Sequence, residues 1–274
     1  PPLPPLPPLQ PLPPLPPLPP LPPSSLSGGW KRRNASTHGR WVLVFTMTRQ
    51  TVELCVNSMN IKDLDVDIFV ASNNREGLYN TTSAMRHYAP ERTTLFWTGT
   101  TNAGYRHGPM EALHVALPIL QHSGYECAAH LHPDVLVYNM SLFWAVMARF
   151  CDSSHTMAHN VAKWKHRLTV YSSDAFFFKP LRMPRTFFNH HHAGDSIAER
   201  ELLLASESHN ASVMILKRFD SNRLGQGANR PEHRDGMSDR VGLKHTHNLS
   251  MHLSHDNHLR ARLQQCRALL EGQA

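Results

Sequence analysis

Beyond residue 40 the chain alternates continuous apolar runs with segments of helical period, and their order predicts the fold. Residues 41–45, WVLVF, are a β-branched and aromatic run of the length of a strand buried on both faces, which is the habit of parallel sheets. Residues 46–61 then place Val52, Cys55 and Met59 near a 3.6-residue period and predict a crossover helix. Residues 66–71, VDIFVA, read as the second strand. Strand, helix and strand in that order make a βαβ unit, the building block of a doubly wound sheet. The fold class expected is α/β, with a Rossmann-like mixed, mostly parallel sheet and helices on both faces.

The remaining pattern extends this plan. Residues 93–97, TTLFW, predict a third strand, and residues 108–122 a helix with Met110, Leu113, Ala116, Leu117 and Leu120 on its apolar face. Pro118 should kink or divide that helix. Residues 140–150 are apolar nearly all round, as in a helix packed on the sheet. Residues 168–171 and 175–178 predict two strand segments separated by Ser172, Ser173 and Asp174. A helix over 197–205 has Asp195 or Ser196 as its cap, with Glu199 and Glu201 in its first turns, where the dipole favours negative charge. A long polar loop over 219–240 and an amphipathic helix over 257–271, carrying Leu259, Leu263 and Leu270, close the chain.

The candidate chemistry centres on residues 124–139, GYECAAHLHPDVLVYN, in which an apolar run, an interruption and a second apolar run follow one another. Pro133 removes a ladder donor and biases His132 away from helix, so the chain should leave the sheet there with Asp134 at the rim. The carboxyl end of a central strand is where open α/β sheets bind ligands. Beside a sugar nucleotide, a carboxylate there commonly holds a divalent cation against the diphosphate. Pro and Asp are equally the residues of an ordinary turn. Asp174 repeats the pattern of a carboxylate between apolar segments. Asp65-Val66-Asp67 has the spacing of a DxD metal motif but leads into its strand instead of following it, so it reads as the solvated start of that strand.

Composition bounds the setting. Residues 1–23 are a PPL repeat broken only by Gln10, which makes an extended polyproline II segment. With the flexible SSLSGG that follows, residues 1–30 read as a linker and residues 41–274 as one domain. A stem, an unselected translated repeat and a PxxP ligand all fit this head. The chain begins at Pro1, which reads as a fragment or processed form with room for a membrane anchor upstream. No visible run is apolar for the roughly 20 residues of a membrane helix. Cys55, Cys127, Cys151 and Cys266 show no CxxC pair, which argues against zinc and thioredoxin-type motifs and leaves buried thiols and disulfides both open. Sequons at Asn34, Asn80, Asn139, Asn210 and Asn248 point to the secretory pathway, with the Golgi lumen as the expected compartment. A net charge of +7 with 20 histidines favours polyanionic partners, and because the basic residues are dispersed no nucleic-acid binding is expected. His245, His247, His252, His255 and His258 form either a transition-metal site or a solvated run.

In order, the blocks VLVFTMTRQ, LDVDIFVASNN, GPMEALHVAL, GYECAAHLHPDVLVYN, YSSDAFFFKP and SIAERELL resemble algal and protist glycosyltransferase-like proteins of the nucleotide-diphospho-sugar (GT-A) fold. The resemblance spans residues 41–258. His132-Pro133-Asp134-Val135 is similar to that group's Asn-Pro-Asp-Val motif, with His132 in place of Asn. It implies a nucleoside-diphosphate sugar donor, with Arg49 near the nucleotide, and Mn²⁺ or Mg²⁺ on Asp134 with a late histidine, His245 or His247. His132 would stand beside the donor where a DxD motif has its first aspartate. The resemblance places Asp174 near the donor sugar or acceptor and Glu199 beyond it. One of these carboxylates would deprotonate the acceptor hydroxyl, of a glycan or a protein, or support the oxocarbenium-like sugar. A catalytically silent relative that binds glycans or a partner is the alternative, because the first aspartate is missing; an unstable fragment is a third reading.

Overall fold

The computed structural model describes residues 40–47, 51–61, 66–72, 93–97, 108–133, 135–137, 139–164, 168–189, 198–219, 243–245 and 257–271. All lie within one compact unit, His38–Ala274; the proline-rich head lies outside the described residues. The strands are β1 (Trp41–Met47), β2 (Asp67–Ser72), β3 (Thr93–Trp97), β4 (Cys127–Leu131), β5 (Val135–Val137), β6 (Met157–Trp164), β7 (Leu168–Phe178), β8 (Val213–Phe219) and β9 (Leu243–His245). The helices are α1 (Thr51–Ile61), α2 (Gly108–His122), α3 (Met140–Asp152), α4 (Ala198–Ser208) and α5 (Asn257–Glu271).

Seven strands form one sheet in the order β3-β2-β1-β4-β7-β6-β8. β1 is parallel to both β2 and β4, with Phe45 opposite Val70 on one side and Leu131 on the other. β7 is antiparallel to β4 and β6, whereas β6 and β8 are parallel. The mixed, mostly parallel sheet expected from the apolar runs is therefore the one formed, and the three predicted strands around β1 lie side by side.

Strand alternation divides the core between the two faces. Leu43, Phe45, Val70, Ala129 and Leu131 pack with Leu54 and Ile61 of α1 and with Phe143, Met147 and Phe150 of α3. Val44, Phe69, Ala128, Phe176 and Phe178 pack with Leu113, Leu117 and Leu120 of α2 and with Leu202 of α4. Helix α2 ends in a Schellman-type turn: the Tyr125 N–H donates to the Leu120 carbonyl and Gly124 takes a φ of 73°, a conformation open to glycine at no steric cost.

Three local expectations change. Of the kink or division expected at Pro118, the division does not occur: helix α2 runs on through it, with Leu117 and Leu120, on either side of the proline, both fully buried against the sheet. Helix α3 buries one side only, through Phe143, Met147 and Phe150. Residues 168–178 form a single strand, so Asp174 is a strand residue and not an interruption. The ladder of β7 with β6 passes from Tyr171 to Phe176 with a register shift across the polar triplet, so the strand runs on while the pairing with β6 is irregular there.

All four cysteines are paired. Cys127–Cys151 joins β4 to α3, and Cys55–Cys266 joins α1 to α5 across a separation of 211 residues. The second bond sits in a small apolar cluster with Val56, Leu136 and Leu263, which seats α5 over α1 and β5. Among the described residues no helix is long and apolar enough to cross a membrane.

Candidate functional site

The chain leaves the main sheet at His132, as Pro133 dictates. The Val135 N–H donates to the His132 carbonyl at 2.9 Å, closing a turn with Pro at its second position, the place proline's fixed φ favours. The turn sits at the carboxyl end of β4, beside the carboxyl end of β1. The segment then forms β5, which belongs to a separate two-stranded sheet with β9. In that antiparallel pair Val135 is opposite His245, so residues 110 positions apart in sequence are brought to one place by a three-residue strand.

His132 is held from β7. Its backbone N–H donates to the Asp174 carbonyl at 2.8 Å, and its Nδ1 faces Asp174 Oδ1 at 3.4 Å. A carboxylate at that nitrogen favours the tautomer with the proton on Nδ1, leaving the Nε2 lone pair outward of the pair. Nε2 is buried and has no hydrogen-bond partner among the described residues. Behind His132 lies a second imidazole, His130, edge-on at 5.3 Å between ring centres. His130 is fully buried; its Nε2 is 2.8 Å from Thr46 Oγ1 of β1, and its ring lies 4.7 Å from that of Phe176. His159 stands on the other flank of Phe176 at 4.9 Å. Burial, reinforced by His132 and His159, holds His130 well below its ordinary pKa of 6.5, with the Ser173 backbone partly opposing.

The other candidates divide by position. Asp67 lies at the amino end of β2, where it pairs with Arg40 at 3.1 Å and accepts the Tyr125 hydroxyl at 2.7 Å. This is the end of the sheet opposite His132, so Asp67 has a structural role and is not part of a DxD site. Burial and the Asp67 carboxylate push the Tyr125 hydroxyl up from its ordinary pKa of 10. Glu199 lies in the first turn of α4, but its side chain is outside the described residues, as is that of His245. Arg49, Asp134 and His247 also lie outside them. Among the described residues no three His, Cys, Asp or Glu side chains form a metal-binding group.

Sequence patterns passed over two buried polar residues that the fold brings to this region. Glu201 of α4 is fully buried on the helix that covers the β7 face, although its place in a first turn suggested solvent. Asn57 of α1 is also fully buried. Its sequence signal is a polar residue three positions after Leu54 and four before Ile61, on the stripe that packs against the sheet.

Of the atoms that could hold a divalent ion, the described residues supply one, His132 Nε2, on a ring whose other nitrogen faces a carboxylate, as is common around metal-bound histidine.

No protein-family model and no curated protein matches the chain. Solved structures do match. A protein of Desulfovibrio desulfuricans G20 assigned as a nucleotide-diphospho-sugar transferase is similar over 85% of this chain and 97% of its own, at 10% identity and a TM-score of 0.47. The galactosyltransferase LgtC, solved with donor and acceptor sugar analogues, is similar over 84% of this chain and 95% of its own, at 10% identity and a TM-score of 0.48.

Proposed function

We propose that the chain transfers a sugar from a nucleoside-diphosphate donor to an acceptor hydroxyl of a glycan or protein. The observation that supports this reading is the His132 turn. It stands at the carboxyl end of β4, its imidazole faces Asp174, and the register of β5 with β9 sets the backbone of His245 opposite Val135. His132 and Asp134, with His245 or His247, would hold Mn²⁺ or Mg²⁺. Bound there, the ion would offset the charge that builds on the departing diphosphate. Asp174 acts through His132, fixing its tautomer and ring plane. This differs from the role near the sugar that the resemblance implies, and it leaves Glu199 as the carboxylate proposed to face the acceptor, with Arg49 toward the nucleotide.

Compartment follows from the same chemistry. Two disulfides suit an oxidising lumen, and the sequon residues Asn139 and Asn210 are exposed. We propose the secretory pathway as its compartment, with the Golgi lumen as its site.

The test is calorimetry of nucleoside-diphosphate binding with Mn²⁺ and with chelator, followed by a donor screen for nucleoside-diphosphate release. Metal-dependent binding lost in Asp134→Asn, with an unchanged melt, supports the reading. Equal binding with Mn²⁺ and chelator would overturn it in favour of a silent, glycan- or partner-binding relative.

A further inference from the structure

Asn57 makes three hydrogen bonds, two to one edge of β5 and one to the turn that precedes it. Its Nδ2 donates to the carbonyls of Pro133 at 2.9 Å and Val135 at 3.1 Å, and its Oδ1 accepts the Val137 N–H at 3.0 Å. Residues 135 and 137 point their backbone groups to the same side because the strand period is two. The opposite edge of β5 is occupied by β9. A side-chain amide has the donor and acceptor of a peptide group, so Asn57 completes the short strand as though it were a third chain one residue long.

Burying an amide is unfavourable unless it is bonded, and an apolar residue at this place on α1 would leave two carbonyls and one N–H of β5 without these partners. The grip has a specific location. The two carbonyls on Nδ2 belong to the residues immediately before and after Asp134, and the first lies inside the turn that begins at His132. On the other side the same turn is held by Asp174. The turn is thus held from both β7 and α1, on the α1 side by the Asn57 amide.

We propose that Asn57 is a positioning residue of the donor site: by holding the Pro133 and Val135 carbonyls it sets the turn that carries the proposed metal ligands, without touching metal or nucleotide itself. This rests on the donor-site reading above. Substituting Asp for Asn57 keeps the shape but replaces the donor Nδ2 with an acceptor oxygen facing two carbonyl oxygens, so the turn must open.

The experiment measures Mn²⁺-dependent binding of a nucleoside diphosphate by calorimetry on wild type, Asn57→Asp, Asp134→Asn and the double variant, each with a melt. The expected result is a 10- to 100-fold weaker affinity for folded Asn57→Asp, the range seen when a group behind a metal ligand is lost. The double variant, like Asp134→Asn, should show no metal-dependent binding, and its melt compared with that of Asp134→Asn gives what the Asn57 change costs the fold by itself. A residue that merely stabilised the fold would lower the melt and leave the affinity of the folded protein unchanged, which would overturn the proposal. If Asn57→Asp does not fold, Asn57→Ser, which leaves room for a water, repeats the measurement; failure of both to fold makes the amide a folding determinant and overturns the proposal as well. Absence of metal-dependent binding in wild type would instead overturn the donor-site reading and this inference together.

Discussion

His130 makes the stability of this fold depend on pH in a way that can be worked out from its surroundings. The ring is fully buried between β1 and β7, bonded to Thr46 and packed on Phe176, and burial holds its pKa well below 6.5. In the unfolded chain the same imidazole takes up a proton as the pH falls through its ordinary value; in the folded protein it does not until far lower. Below pH 6.5 the unfolded state therefore binds one more proton, and stability declines as the pH drops. The contribution is present above pH 6.5, and about 1.4 kcal/mol is lost for each pH unit below it, until the folded pKa is reached. Urea unfolding at pH 6.5 and 5.5 for wild type and His130→Gln isolates this term, since the other titrating groups are common to both. Because the unfolded imidazole is already half protonated at pH 6.5, wild type should lose about 1 kcal/mol more than the variant over that unit, roughly a fivefold change in the unfolding constant. Equal losses would refute the reasoning and mean that the folded protein protonates His130 with no more difficulty than the unfolded chain.

Other outcomes follow from contacts already described. Asp174→Asn should weaken Mn²⁺-dependent nucleotide binding by about tenfold, the lower end for a group behind a metal ligand, because 3.4 Å to His132 Nδ1 is longer than a strong hydrogen bond; unchanged calorimetric affinity would count against its orienting role. Replacing both Cys127 and Cys151 with Ala should cost about 3 kcal/mol in urea unfolding, and replacing both Cys55 and Cys266 about 5 kcal/mol. These values follow from loop closure over sequence separations of 24 and 211 residues. Equal losses from the two pairs would speak against that account. Gly124→Ala should cost about 1 to 2 kcal/mol through its φ of 73° alone, because a Cβ there meets nothing within 4 Å; a neutral melt would mean that the turn relaxes.

How much was legible follows from which interactions are local. The β1-α1-β2 unit, helix α2 and the departure of the chain at Pro133 were readable because each depends on a period or a proline within about fifteen residues. The rejection of Asp67 as a metal ligand was readable for the same reason, since its place before a strand fixed the end of the sheet on which it lies. By contrast, Asp174 looked like a break because Ser172, Ser173 and Asp174 are poor strand formers; the strand runs on through them with a register shift against β6, and the register of β7 against β4 brought its carboxylate to His132. The cysteine pairing, the burial of Glu201 and the meeting of His245 with Val135 likewise depend on separations that no local pattern encodes. Asn57 is the clearest case. The sequence alone placed a polar residue on an apolar helical stripe, where its burial looks unfavourable, and only the packing of α1 against β5 supplied the three backbone partners that make it stable there.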